Sequence, residues 1–157
     1  MPVLQKTPPA KSKNNKARVL LIDDHAILRQ GLAQLINQEP DLIVCGEAEE
    51  APKGFELAGT LKPDVALVDI SLKGGNGLEL IKNLKASYPD LPILVLSMHD
   101  ESLYADRVLR AGSLGYVMKE EASETVLVAI RKVLKGEVVL SEKMQARLLH
   151  QLVNGRL

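Results

Sequence analysis

Residues 18–36 read RVLLIDDHAILRQGLAQLI. Positions 19–22 are Val-Leu-Leu-Ile, apolar at every step rather than at alternate steps, and such a strand is covered on both faces. Two acids, Asp23 and Asp24, follow at once. Beyond them Ile27, Leu28, Leu32, Leu35 and Ile36 recur at helical spacing and form one stripe. This is one strand-to-helix unit, and the texture repeats along the chain. Further apolar runs fall at 42–45, 65–68, 93–96 and 116–118. Between them lie stripes at Leu78, Ile81 and Leu84, at Leu103, Val108 and Leu109, and at Val126, Leu127, Ile130, Val133 and Leu134, with a weaker helix over 51–61. Five such runs alternating with helices predict an α/β fold, a five-stranded parallel sheet doubly wound by helices on both faces. In sheets of this kind function gathers at the carboxyl ends of the strands, near the switch in strand order.

Outward from this core the chain bounds itself. Residues 1–17 hold three prolines and four lysines with little apolar content, so they read as a flexible lead. The ordered domain spans 18–136, and 137–157 reads as a linker or sixth helix on which Met144, Leu148 and Leu152 align. Lys+Arg and Asp+Glu both number 20, so the overall balance offers no basic field for non-specific DNA binding. The single Cys45 cannot form an internal disulfide, and no apolar run has the length of a spanning helix or the flanks of a signal peptide. These features place the protein in a reducing cytoplasm, with Cys45 as a small buried strand residue.

The chemistry lies where polar residues interrupt the apolar strands. Asp23 and Asp24 follow the first, Asp69 ends the third, Ser97 the fourth and Lys119 the fifth, so all five converge on one sheet edge. Three carboxylates held together repel unless a cation neutralises them, and hard oxygen donors suit Mg²⁺. A lysine and a hydroxyl opposite the acids add donors for an anion. Together they suit a phosphoryl group: a carboxylate to attack phosphorus, and a metal, an ammonium and a hydroxyl to hold its oxygens.

This ordered set of Asp-Asp, Asp, Ser and Lys resembles the receiver domain of bacterial two-component response regulators, over roughly residues 18–136. The resemblance implies a flavodoxin-like, three-layer α/β/α fold with strand order 2-1-3-4-5. It makes Asp69 the phosphoacceptor, Asp23, Asp24, Asp69 and the backbone carbonyl of Ser71 the Mg²⁺ ligands, Lys119 the phosphate-binding lysine, Ser97 the switch hydroxyl and Tyr116 the switch aromatic. Gly77 matches the glycine that turns the following loop into the third helix. The segments DHAILRQGL at 24–32 and LSMH at 96–99 resemble the LuxR-type (NarL/FixJ) subfamily, which carries a helix-turn-helix output domain after the linker; the chain stops at Leu157, where that domain would begin. The implied partners are a sensor histidine kinase and a second copy on phosphorylation, with DNA reached only through an output domain. Lys73 departs from the proline that many receivers carry there.

Each residue also has a plainer reading. Asp24 could be a helix cap, Ser97 a helix-start residue and Tyr116 an ordinary strand aromatic. His25 and His99, just past strand ends, sit at the rim of the site in a tuning role. Gly74, Gly75 and Gly77 resemble a phosphate loop, but no Gly-Lys-Ser/Thr follows, so they form a flexible turn. An aspartyl-phosphate phosphohydrolase would need a second acid two residues after the nucleophile, where Ser71 stands, and a docking module would not need the full set of site residues.

Overall fold

The structure is a computed structural model that describes residues 15–72, 77–98 and 101–155, with the side chains of 101–103 outside that description. Residues 1–14 of the lead expected over 1–17, the Gly74–Gly75 turn, Lys73, His99 and the Leu103 side chain therefore lie outside the described residues, and Ala17 already belongs to the first strand. In chain order the elements are β1 (Ala17–Ile22), α1 (Ala26–Asn37), β2 (Leu42–Ala48), α2 (Ala51–Leu61), β3 (Val65–Asp69), α3 (Gly77–Ser87), β4 (Ile93–Ser97), α4 (Glu101–Ala111), β5 (Gly115–Met118), α5 (Ala122–Leu134) and α6 (Glu142–Val153). A single 3-10 turn, Lys119–Glu121, joins β5 to α5. All strand pairs are parallel and the order is β2-β1-β3-β4-β5, the flavodoxin-like arrangement.

The pleat divides the apolar runs between two cores. Leu20, Ile22, Ala66, Val68, Ile93, Val95 and Tyr116 face one side and meet Ala58 of α2, Leu80, Ile81 and Leu84 of α3, and Ala105 and Val108 of α4. Val19, Leu21, Val65, Leu67, Leu94, Leu96 and Val117 face the other and meet Leu32, Ala33 and Ile36 of α1 and Val126, Ala129, Ile130 and Val133 of α5. Each fully buried Val, Leu or Ile contributes about 1.5–3 kcal/mol of transfer free energy. Consecutive strand residues serve opposite cores, so an all-apolar run at 19–22 is required here.

Three expectations need correction. Ile27 is not part of the α1 stripe: it is 87% exposed, because the buried face follows Leu28, Leu32 and Ile36 at four-residue steps and Ile27 precedes it by a fraction of a turn. On α6 the aligned face ends at Leu148, since Met144 is buried and Leu152 lies exposed. Cys45 is only half-buried, because β2 is an edge strand and Cys45 is the residue skipped where the register with β1 passes from Val19–Val44 to Leu20–Gly46. Burial pushes its thiol pKa up.

Packing also runs past residue 136. Val139 bridges Gly115 along the outer side of β5, donating its N–H to the Leu114 carbonyl at 2.9 Å and accepting from the Tyr116 N–H at 3.0 Å. Ser141 then caps α6, its hydroxyl accepting from the Met144 N–H at 3.1 Å, and Met144 enters the first core.

The start of α3 is fixed by close approach. A Cβ on Gly77 would lie 2.5 Å from the Asp69 carbonyl oxygen and 2.5 Å from Ile70 Cα, both backbone atoms that no rotamer change can move. The Gly77 N–H donates to the Ile70 carbonyl at 3.2 Å. Gly77→Ala should therefore push α3 away from the end of β3 and cost about 1–3 kcal/mol, read as a lower urea midpoint. An unchanged midpoint would mean that this contact is not tight.

Candidate functional site

The carboxyl ends of β1, β3, β4 and β5 bring the expected residues to one edge of the sheet. Asp23 and Asp69 are 2% and 1% exposed, and Ser97 and Lys119 are also buried. Lys119 leaves the end of β5 and its Nζ donates to Asp23 Oδ1 and Asp69 Oδ2, each at 3.0 Å. Backbone N–H groups add to this hold. Asp69 Oδ1 accepts from the Ser71 N–H at 2.9 Å, and Asp23 Oδ1 accepts from the His25 N–H at 2.8 Å, each a local turn of the kind short acidic side chains favour. Burial is the larger influence on Asp69 and raises its pKa above the ordinary carboxylate range. The Ser71 N–H and the Lys119 ammonium pull it down, and the charge of Asp23 adds to the rise.

Asp24 does not cap α1. The cap position belongs to His25, whose side chain makes no capping bond, and Asp24 Oδ1 is buried without a hydrogen-bond partner among the described residues, as is Asp23 Oδ2. Two buried, unpaired carboxylate oxygens are costly unless something positive meets them. Ligand atoms of Asp23, Asp24, His25 and Asp69 all lie within 4.8 Å of one another, so the donor set fits a divalent cation. Asp24→Ala removes one unpaired buried acceptor and one of the repelling charges. Metal-free protein carrying it should be more stable by about 1–3 kcal/mol, and Mg²⁺ should no longer stabilise it as it does the parent. Denaturation series with and without Mg²⁺ check both halves, and a loss of metal-free stability counts against the clustered-acid account.

Ser97 ends β4 opposite Met118, one step beyond the Asp69–Leu96 pair, so its hydroxyl belongs to the same edge. Tyr116 is turned inward and 4% exposed, in the core that includes Ala105, Val108 and Met144.

Two residues carry more than the sequence suggested. His25 stands at the rim, its side chain 52% exposed, with Nδ1 turned into the pocket 3.2 Å from Asp23 Oδ1, 3.4 Å from Asp24 Oδ1, 3.7 Å from Asp69 Oδ2 and 2.5 Å from Lys119 Nζ. Arg29 on α1 donates to the backbone carbonyl of Asp23 at 2.5 Å and to Glu47 Oε1 at 2.9 Å, pinning the acid turn from behind. The sequence signal for Arg29 was weak, an arginine one helical turn after an acid pair, and its partner Glu47 lies on another strand.

Comparison with known proteins agrees with this fold. Residues 19–131 match the family described as the response regulator receiver domain. The chain is 39% identical over 133 residues to the nitrate/nitrite response regulator protein NarL of Escherichia coli K12, covering 85% of this chain and 62% of that protein. It is 34% identical over 137 residues to the transcriptional regulatory protein DegU of Brevibacillus brevis, covering 87% and 58%. Among solved structures, a LuxR-family two-component response regulator from Aurantimonas sp. SI85-9A1 superposes with a TM-score of 0.80 at 30% identity, over 88% of this chain and 99% of that one. The isolated receiver domain of RcsB from Salmonella enterica serovar Typhimurium, solved with the phosphomimetic BeF3-, gives 0.76 at 29% identity over 84% and 98%. The chain thus spans about three fifths of the length of these two curated relatives. With the five-stranded order, the buried acid–lysine cluster and these matches in agreement, the chain belongs to the response regulator receiver domain family.

Proposed function

We propose that this chain is the phosphoacceptor switch of a two-component relay, with Asp69 taking a phosphoryl group from a sensor histidine kinase in the cytoplasm. The observation that carries this reading is the pair of buried acceptors, Asp23 Oδ2 and Asp24 Oδ1, left without partners beside an Asp69 carboxylate already aimed by Ser71 and Lys119. One Asp69 oxygen attacks phosphorus and forms the acyl phosphate, while the donor's bond to phosphorus breaks and its leaving group departs with the electron pair. Lys119, released from its carboxylate contact, neutralises charge on the phosphoryl oxygens, and Ser97 donates a hydrogen bond to one of them. Asp23, Asp24, Asp69 and the Ser71 carbonyl would hold Mg²⁺, which supplies further charge neutralisation when bound.

Output follows from the placement of Ser97 and Tyr116. A hydroxyl drawn toward the phosphoryl group vacates space beside β4, and the buried Tyr116 ring repacks in response, changing the surface of α4, β5 and α5. We assign that changed surface to pairing with a second copy. DNA control is assigned to a helix-turn-helix output domain beyond the 137–157 linker, with 18–136 as the receiver and 1–17 as its lead. Catalytic turnover of external substrates is disfavoured because Ser71, not an acid, stands two residues after the nucleophile.

Incubation with acetyl phosphate and Mg²⁺, followed by intact-mass measurement, tests the proposal. A stable gain of one phosphoryl group is the expected result. Free phosphate released over many turnovers would identify an enzyme, and no change a docking module.

A further inference from the structure

Both backbone groups of Asp23 are held. Its N–H donates to the carbonyl of Ala48, the last residue of β2, at 3.0 Å, and its own carbonyl accepts from Arg29 Nη1 at 2.5 Å. Arg29 rises from the first turn of α1 and is 12% exposed, and its Nε donates at 2.9 Å to Oε1 of Glu47, the neighbour of Ala48. The guanidinium donors lie in one rigid plane, so the bond to Glu47 aims Nη1 at the carbonyl. That carbonyl belongs to the planar peptide joining Asp23 to Asp24, and its direction sets how the two residues are turned relative to one another. Charge alone argues against an arginine here, because a cation beside a pocket meant for another cation repels it.

We propose that Arg29, aimed by Glu47, is a positioning residue for the acid pair: by fixing the peptide between Asp23 and Asp24 it tightens Mg²⁺ binding by more than its own charge weakens it. This role deepens the Mg²⁺ site assigned above and rests on it. The two influences carry opposite signs and are therefore separable. Arg29→Met keeps an unbranched stem in a largely buried place and removes the positive charge. Repulsion alone would make this variant bind Mg²⁺ more tightly than the parent. Loss of the aimed peptide makes it bind more weakly, by the roughly 10–100-fold that follows removal of a group orienting metal ligands. Arg29→Lys keeps the charge, but a single ammonium does not span both acceptors with the fork's fixed geometry, so its affinity should also fall. Glu47 acts through Arg29, so Glu47→Ala should weaken binding in the parent and cost little once Arg29 is methionine.

Amide NMR titration with Mg²⁺ tests this on the parent, Arg29→Met, Arg29→Lys, Glu47→Ala, the Arg29→Met/Glu47→Ala double variant and Asp24→Ala, each shown to be folded by the dispersion of its spectrum. Urea midpoints are measured alongside. The expected result is a dissociation constant raised about tenfold or more in Arg29→Met, raised in Arg29→Lys and Glu47→Ala, and within about twofold of Arg29→Met in the double variant. A purely structural role would lower the urea midpoint and leave the affinity of the folded protein alone, and that outcome overturns the proposal. Tighter binding by Arg29→Met overturns it too, as does a Glu47→Ala loss of the same size in both backgrounds. Should Arg29→Met fail to fold, Arg29→Lys decides, and an affinity equal to the parent's overturns the role. If Asp24→Ala loses Mg²⁺ while the Arg29 variants bind like the parent, the positioning role falls and the metal site stands. If the parent and Asp24→Ala bind Mg²⁺ alike, the pocket is no metal site and both readings fall.

Discussion

Replacing Lys119 by methionine should destabilise the metal-free protein by about 3–5 kcal/mol, the usual consequence of removing one partner from a buried ionic cluster. The ammonium is the buried cation that touches Asp23 and Asp69, both almost wholly excluded from water, and methionine of similar length fills its space without its charge. The remaining carboxylates then face one another in a medium that screens them poorly. Two further consequences separate this cause from loss of packing. With the ammonium gone, the folded-state pKa of Asp69, already raised by burial, moves further above its unfolded value. A carboxyl of that kind favours folding when protonated, so the variant should recover stability as pH falls and lose it as pH rises through the folded-state value. Mg²⁺ should also stabilise the variant more than it does the parent, since the cation takes over part of the missing neutralisation. Urea denaturation at neutral and mildly acidic pH, each with and without Mg²⁺, reads all three effects. A variant within about 1 kcal/mol of the parent at neutral pH would show that the three carboxylates do not depend on Lys119.

The second large effect is chemical. Asp69→Asn should fold yet gain no mass with a phosphodonor, because an amide offers phosphorus no carboxylate oxygen with which to form the acyl phosphate. The amide oxygen can still accept the Ser71 N–H that holds Asp69 Oδ1. Its NH₂ would face the Lys119 ammonium, donor against donor, while the removal of a buried charge works the other way. The net change in stability should therefore stay within about 2 kcal/mol. Parent and variant treated side by side with acetyl phosphate and Mg²⁺ give the readout, and equal labelling would place the acceptor elsewhere.

Much of this was legible in the sequence because both cores are fed by the same strands. An apolar residue at every position of 19–22, 65–68 and 93–96 admits only a sheet covered on both faces, and the acid, serine or lysine that ends the first, third, fourth and fifth runs marks the open edge. Legibility failed where position depends on direction rather than spacing. Ile27 shares the period of α1 but precedes its buried face, which is set by how the helix leaves the Asp23–His25 turn. That same turn aims the ring of His25, at the rim, into the pocket. Val139 carried no strand signal, because a single bridge residue has no alternation to read. Arg29 carries no spacing signal because both of its partners, the Asp23 carbonyl and Glu47, are brought to it by the fold.

The bridge at Val139 bears on how two copies of this molecule can meet. An exposed strand edge presents a ladder of unpaired N–H and C=O groups that invites another chain to add on, and natural sheets blunt such edges. At β5 the Leu114 carbonyl and the Tyr116 N–H are both consumed by Val139. At the other margin, β2 carries the irregular register at Cys45, the kind of bulge that twists an edge away from regular pairing. Neither margin of the sheet is a straight, vacant template for fibrillar growth. Any association between copies would thereby be channelled to helix surfaces, where a contact can be made and undone without extending the sheet.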